Sequence, residues 1–131
     1  MAYLYQEPSK TAMIKLLHTA DIHLGREFPL LGEKGKEYRN QLVTTFDKII
    51  DLAIKENVSL LLIAGDLFDT NRVHGIVVAK VLSAFRKLEE RGVPICILPG
   101  TGTHDSYGED SIYRFVRFPP NVVVFTPRQE R

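Results

Sequence analysis

The sequence has a single cysteine, Cys96, no tryptophan and only two methionines. One cysteine excludes an internal disulfide framework, so an apolar core has to hold the fold, and a reducing compartment suits it. Long hydrophobic runs are also missing: residues 60–64 and 93–98 are the longest, far short of the roughly 20 that span a bilayer. The first residues lack the basic patch, apolar run and small-residue cleavage site of a signal peptide. Nor is one charge in excess. With 17 Lys+Arg against 16 Asp+Glu, neither a strongly basic nucleic-acid clamp nor a disordered tail fits the composition. These absences point to a soluble, cytoplasmic protein without membrane contact. What is there is 131 residues, 44% of them hydrophobic, enough for one packed core and too few for two full domains.

Residues 1–12 mix polar residues with Pro8, show no period, and read as a flexible extension before a folded body at 13–131. Residues 14–18 suit a strand, and 26–35, with Pro29, Gly32 and Gly35, a loop. From about Tyr38, Leu42, Phe46, Ile49, Ile50, Ala53 and Ile54 recur at helical spacing up to about Asn57. The unbroken apolar run 59–64 predicts a strand covered on both sides, and 93–98 a third buried strand that includes Cys96. Between them Val77, Val78, Val81, Leu82, Phe85 and Leu88 form a second helical stripe, stopped at Gly92. A short helix capped by Asp110 or Ser111 and running to about Phe118, then a strand at 122–125, completes a βαβαβαβ order. Right-handed crossovers make such a sheet parallel, with binding groups at the carboxyl ends of its strands.

Three polar clusters each follow a predicted strand: Asp21 and His23, Asp66 and Asp69, His104 and Asp105. Parallel strands bring all three to one edge of the sheet. Carboxylates and imidazoles gathered so closely call for a cation, and mixed oxygen and nitrogen donors suit manganese, iron or zinc better than calcium. Gly65 lets the chain leave a buried strand sharply, delivering the Asp66 carboxylate.

The segments Asp21-Ile22-His23, Gly65-Asp66-Leu67-Phe68-Asp69 and Gly102-Thr103-His104-Asp105 resemble the first three motifs of the calcineurin-like metallophosphoesterases, DxH, GDxxD and GNH(D/E). The wording of 18–25 and 65–70 is similar to the DNA-repair exonuclease branch, the SbcD-type nuclease subunit, and the resemblance covers residues 13–126. It implies a four-layered αββα sandwich, of which this chain carries the first half. It also implies two divalent metals, usually manganese, and hydrolysis of phosphodiester bonds in DNA beside an SbcC-type ATPase subunit. On matching positions Asp21 and His23 bind the first metal, Asp66 bridges both, Thr103 stands at a ligand position of the second, and His104 faces the scissile phosphate as general acid or charge stabiliser. Asp105 is expected to orient His104.

The sequence departs from that pattern in two places. Thr103 replaces an asparagine ligand in a loop two residues longer than usual, so Gly100-Thr101 is an alternative match, and no histidine follows His104. The chain is therefore expected to be an amino-terminal half-domain whose own catalysis is poor or absent. The alternatives are a non-catalytic half-domain or interaction module, and a phosphoesterase acting on small nucleotides or phosphoproteins. Open edges invite self-association into a homodimer. Other polar residues have plainer readings. Asp69 is read as capping the following helix, His18 as a packed, hydrogen-bonded core histidine, and His74 as a surface residue at a helix start. Arg26, Lys34, Lys36 and Arg39 are interleaved with Glu27, Glu33 and Glu37 and read as a solvated surface.

Overall fold

The computed structural model describes residues 13–127; the extension expected at 1–12 lies outside them. The order is β1 (Leu16–Thr19), a 3₁₀ turn (Pro29–Leu31), α1 (Glu33–Lys55), β2 (Leu60–Ala64), α2 (Gly75–Glu90), β3 (Ile95–Leu98), α3 (Ile112–Phe115) and β4 (Val122–Val124). The four strands form one parallel sheet in the order β1-β2-β3-β4. This is the expected α/β architecture.

Every crossover steps the same way across the sheet, so right-handed connections put the helices on one face. There Phe46 and Ile50 of α1 and Val81 and Phe85 of α2 join Leu61, Ile63, Ile95 and Ile97 in a single core. Among the described residues the other face is open. Leu60, Leu62, Ala64 and Cys96 are half-buried, and Leu16, Leu98 and Val123 are 52–55% exposed. The two-sided burial expected for β2 and β3 therefore does not occur among the described residues, which supply one helical layer and one sheet layer of the four-layered sandwich. For the same reason His18 is not a core histidine and Cys96 is not fully buried. Parallel pairing sets His18, Leu62, Cys96 and Val123 side by side in one row on the open face.

Strand bounds shift by one or two residues from expectation, and two helix boundaries shift further. Helix α1 begins at Glu33 rather than near Tyr38, because Pro29 opens a 3₁₀ turn where proline fits and Gly35 lies in the first helical turn. A glycine there costs about 1 kcal/mol, which the length and buried stripe of this helix outweigh. Ser111, not Asp110, caps α3, its hydroxyl accepting from Tyr113 N–H. That helix ends at Phe115, three residues early, since the Pro119-Pro120 pair ahead favours extended backbone.

Candidate metal centre

Beyond β1 the chain alternates. Ile22 and Leu24 are buried at 5% and 2% exposure, which turns Asp21 and His23 outward to the mouth of the sheet. The loop is zipped to the one after β2: Asp21, His23 and Leu24 donate their N–H groups to the carbonyls of Gly65 (3.1 Å), Asp66 (2.8 Å) and Leu67 (2.8 Å). Asp21, His23 and Asp66 all adopt left-handed backbone, with φ of 56°, 53° and 56°. Non-glycine residues held this way cost on the order of 1 kcal/mol each, and such strain clusters at functional sites. Gly65, at φ 80°, takes the same conformation without that cost and releases the chain from β2 into Asp66.

The result is a cluster in which Asp21, His23 and Asp66 each offer a ligand atom, all within 4.8 Å of one another. His23 Nε2 lies 3.8 Å from Asp66 Oδ2. Asp66 Oδ1 is buried without a hydrogen-bond partner among the described residues. A Cβ on Gly100 would overlap both this oxygen and Asp105 Oδ1, so only glycine leaves room for them. Burial pushes the Asp66 carboxyl above its ordinary range; a hydrogen bond with Asp21 and the charge of Asp105 add to this, and His104 and His23 oppose it. An unpartnered, desolvated carboxylate oxygen beside another carboxylate and an imidazole is the donor set a divalent cation fits.

Asp69 organises the imidazoles. Its Oδ1 lies 3.1 Å from His23 Nδ1, and its backbone carbonyl lies 3.0 Å from His104 Nδ1. A carboxylate and a carbonyl only accept, so both histidines carry the proton on Nδ1 and keep Nε2 for the site. The two rings meet edge to face, centroids 4.9 Å apart. The Asp69 carbonyl is the main influence raising the His104 pKa above its ordinary value; desolvation opposes it, and the charges of Asp66, Asp69 and Asp105 add. His23, Asp69 and His104 also bring ligand atoms within 4.8 Å of one another, but this trio is already hydrogen-bonded within itself. Asp69 is not a helix cap: α2 starts at Gly75 with His74 at its N-cap position.

Asp105 does not orient His104 either. Fully buried, it accepts from the N–H groups of Asp66 (3.1 Å), Gly100 (2.7 Å) and Phe68 (3.1 Å) and from the Tyr113 hydroxyl. It fastens the turn carrying Asp66 to the turn after β3. Asn71 adds a second tie, donating to the Ser106 carbonyl and accepting from Ile112 N–H. Sequence reasoning missed Tyr113 and Asn71; a tyrosine inside the short apolar stretch 112–116 is the one signal that pointed to a buried acceptor. Thr103 is exposed at the tip of a turn closed by His104 N–H on the Thr101 carbonyl. His74, at the surface as expected, pairs with Glu27 at 3.2 Å.

The sequence matches the calcineurin-like phosphoesterase family over residues 14–127. It is 35% identical over 95 residues to the DNA double-strand break repair protein Mre11 of Aeropyrum pernix, covering 72% of this chain and 22% of that protein. Its identity to Mre11 of Sulfurisphaera tokodaii is 34% over 93 residues, 70% of this chain and 22% of the relative. Another relative is the uncharacterized metallophosphoesterase YhaO of Bacillus subtilis, 26% identical over 117 residues, 86% of this chain and 28% of that protein. The chain thus spans about a quarter of the length of these curated relatives. With Asp21 and His23 after β1, Asp66 after β2 and His104 after β3, and the match running through all three strands, the chain belongs to the calcineurin-like phosphoesterase family.

Proposed function

We propose that this chain carries the metal-holding part of a phosphodiesterase that cleaves DNA in double-strand break repair. The convergence of Asp21, His23 and Asp66, whose Oδ1 is buried without a partner among the described residues, carries the reading, and the similarity to Mre11 double-strand break repair proteins supports DNA as substrate. A divalent cation held there, manganese in this proposal, supplies Lewis-acid charge against the phosphate oxygens. Asp21, His23 and Asp66 hold it, and Asp69 fixes the His23 ring so that Nε2 faces it. His104, its Nδ1–H committed to the Asp69 carbonyl, would as an imidazolium point Nε2–H to the phosphate and pass that proton to the leaving oxygen, or stay protonated and offset its charge. Asp66 would also be a ligand of a second cation, for which Thr103 would offer only a hydroxyl at the tip of an exposed turn. Hydrolysis by this chain alone is therefore weak. An SbcC-type ATPase subunit is the proposed partner of the complete enzyme, and the cytoplasm its compartment; no helix among the described residues is long and apolar enough to cross a membrane.

The uncovered face of the sheet favours a second reading, a non-catalytic half-domain that associates with a partner or with itself. Calorimetric titration with Mn²⁺ at neutral pH separates the two. The phosphodiesterase reading expects binding by the chain and none by Asp66→Asn. Absence of binding, or equal binding by the variant, overturns it and leaves the half-domain.

A further inference from the structure

A groove of about 450 Å³ runs across the ends of β3 and β4, lined among others by Leu98, Gly100, Thr101, Tyr107, Phe125 and Pro127. Its size falls within the roughly 300–1,000 Å³ of small-molecule sites. It begins where the metal cluster ends, because Gly100 lines the groove and also makes room for Asp66 Oδ1. Its two aromatic rings are held differently. Tyr107 packs against the core and carries the Arg114 guanidinium over its ring, 4.8 Å from the centroid. Phe125 is fixed by its N–H on the Ile97 carbonyl at 2.8 Å, yet its side chain is 53% exposed. Among the described residues no carboxylate lines this groove.

A second cleft borders the cluster on the β1 side, with a volume of about 660 Å³, and it differs in chemistry. Asp69, Glu27, Arg72 and His74 line it, with the His74 ring tied to Glu27 at 3.2 Å and two carboxylates against the one Arg72 charge. Carboxylates repel a polyanion and offer no flat apolar surface. Of these two clefts beside the cluster, the β3–β4 groove is the one with tyrosine and phenylalanine walls.

We propose that the groove walled by Tyr107 and Phe125 is a nucleobase subsite, which takes the base of a nucleotide whose phosphate lies at Asp21, His23 and Asp66. The assignment rests on the phosphodiesterase reading for the placement of the phosphate. Every base has a π-face, and stacking on aromatic side chains is worth about 1–3 kcal/mol per base whatever its identity. The groove therefore serves DNA without sequence preference. Arg114, beside Tyr107, places a positive charge at its border.

The test compares three probes in the presence of Mn²⁺: thymidine 5′-monophosphate, 2-deoxyribose 5-phosphate and inorganic phosphate. Binding to the full chain is followed by isothermal titration calorimetry. The nucleotide is expected to bind roughly 5- to 150-fold tighter than the base-less sugar phosphate, the range that stacking energy corresponds to. Phe125→Ala removes that advantage, Phe125→Tyr keeps it, and both leave inorganic phosphate and Mn²⁺ binding unchanged. Phe125 is half-exposed, so the alanine variant folds; its amide spectrum checks this. Equal affinity for nucleotide and sugar phosphate, or an advantage that survives Phe125→Ala, overturns the subsite. The two proposals fail separately. Mn²⁺ binding without a base advantage removes the groove alone, and a base advantage without Mn²⁺ binding removes the phosphodiesterase reading and leaves the groove as a base site.

Discussion

The Asp69 carboxylate meets the His23 imidazole at 3.1 Å, Oδ1 against Nδ1, so a side chain 46 residues further along the chain sets which nitrogen of His23 faces Asp66 and the candidate metal site. Removing such a support costs a metal site about 10- to 100-fold in affinity. Asp69→Ala is expected to weaken Mn²⁺ binding by that factor in a calorimetric titration. The His104 ring should stay in place, because its partner is the Asp69 backbone carbonyl, which the substitution keeps. His74→Ala, at the exposed Glu27 pair, is the control and should bind as the parent does. An Asp69 variant with parental affinity would show that His23 needs no orientation.

Asp66 makes the metal-free protein less stable than it could be. Its pKa is raised in the folded state, burial being the largest cause, so its neutral form is the one the fold accepts. Stability from such a group is complete below the unfolded value near 3.8 and is lost as pH rises through the higher folded value. At neutral pH, then, Asp66→Asn should raise the melting temperature of the protein in EDTA, and the gain should vanish in acid below that value. In Mn²⁺ the order reverses, since only the parent gains stability from the bound ion. Differential scanning fluorimetry across pH, with and without Mn²⁺, reads both. A variant less stable than the parent in EDTA would show that the His104 and His23 charges outweigh burial.

The parts of this fold that the sequence made legible are those set by local pattern. The apolar runs at 60–64 and 95–98 end in Gly65-Asp66 and Pro99-Gly100, and a parallel sheet carries whatever follows its strands to one edge. That is why Asp21, His23 and Asp66 could be placed together before their geometry was known. Asp69 was misread because a local rule, capping of the next helix, competed with a partner 46 residues away that no periodicity reveals. The same holds for Asp105, whose acceptors' partners lie on three different segments. His18 and Cys96 were placed in the core because an apolar strand reads alike whether one or both of its faces are covered; the difference lies in the direction of the crossovers, a property of the whole sheet.

Asp105 should matter more for stability than for the metal. It gathers three backbone donors and the Tyr113 hydroxyl in a fully buried position, where that hydroxyl's pKa is driven far above its ordinary value by desolvation and the Asp105 charge. Tyr113→Phe deletes one hydrogen bond to a charged acceptor and is expected to cost about 2 kcal/mol in denaturant unfolding. Mn²⁺ binding should survive, since the three N–H donors still hold the carboxylate. Asp105→Ala strands all of these donors and should cost upwards of about 4 kcal/mol. Should Tyr113→Phe lose metal binding while remaining folded, the tyrosine would belong to the centre itself.

Gly100 is where stability and metal binding meet. Because a Cβ there would overlap Asp66 Oδ1 and Asp105 Oδ1, Gly100→Ala must displace one carboxylate or the turn that carries it. Overpacking of this kind typically costs about 1–3 kcal/mol. The expected variant is folded, less stable and deficient in Mn²⁺ binding. Gly108→Ala, at a position with open space around it, should change neither property. Unaltered binding by Gly100→Ala would mean that the cluster tolerates a shift of Asp66 and is looser than its geometry indicates.

The open face of the sheet carries the last prediction. Leu16, Leu98 and Val123 stand 55%, 53% and 52% exposed on three strands, with Leu60 and Leu62 half-buried between them. A contiguous apolar surface of this sort drives association and binds apolar dyes. Replacing Leu16, Leu98 and Val123 together with threonine keeps residues that suit strands and leaves the helix-covered core untouched. The triple variant should lose most of its 8-anilinonaphthalene-1-sulfonate fluorescence. Its association in sedimentation velocity should move to several-fold higher concentration, with unfolding free energy within about 1 kcal/mol of the parent. The sheet has a second route to self-association, pairing through its edge strands β1 and β4, whose outer backbone is unpaired among the described residues, and threonine on the face does not block it. Dye binding and association separate the two routes. If both fall together, the face is the contact; if the dye signal falls while association persists unchanged, the contact runs along an edge strand.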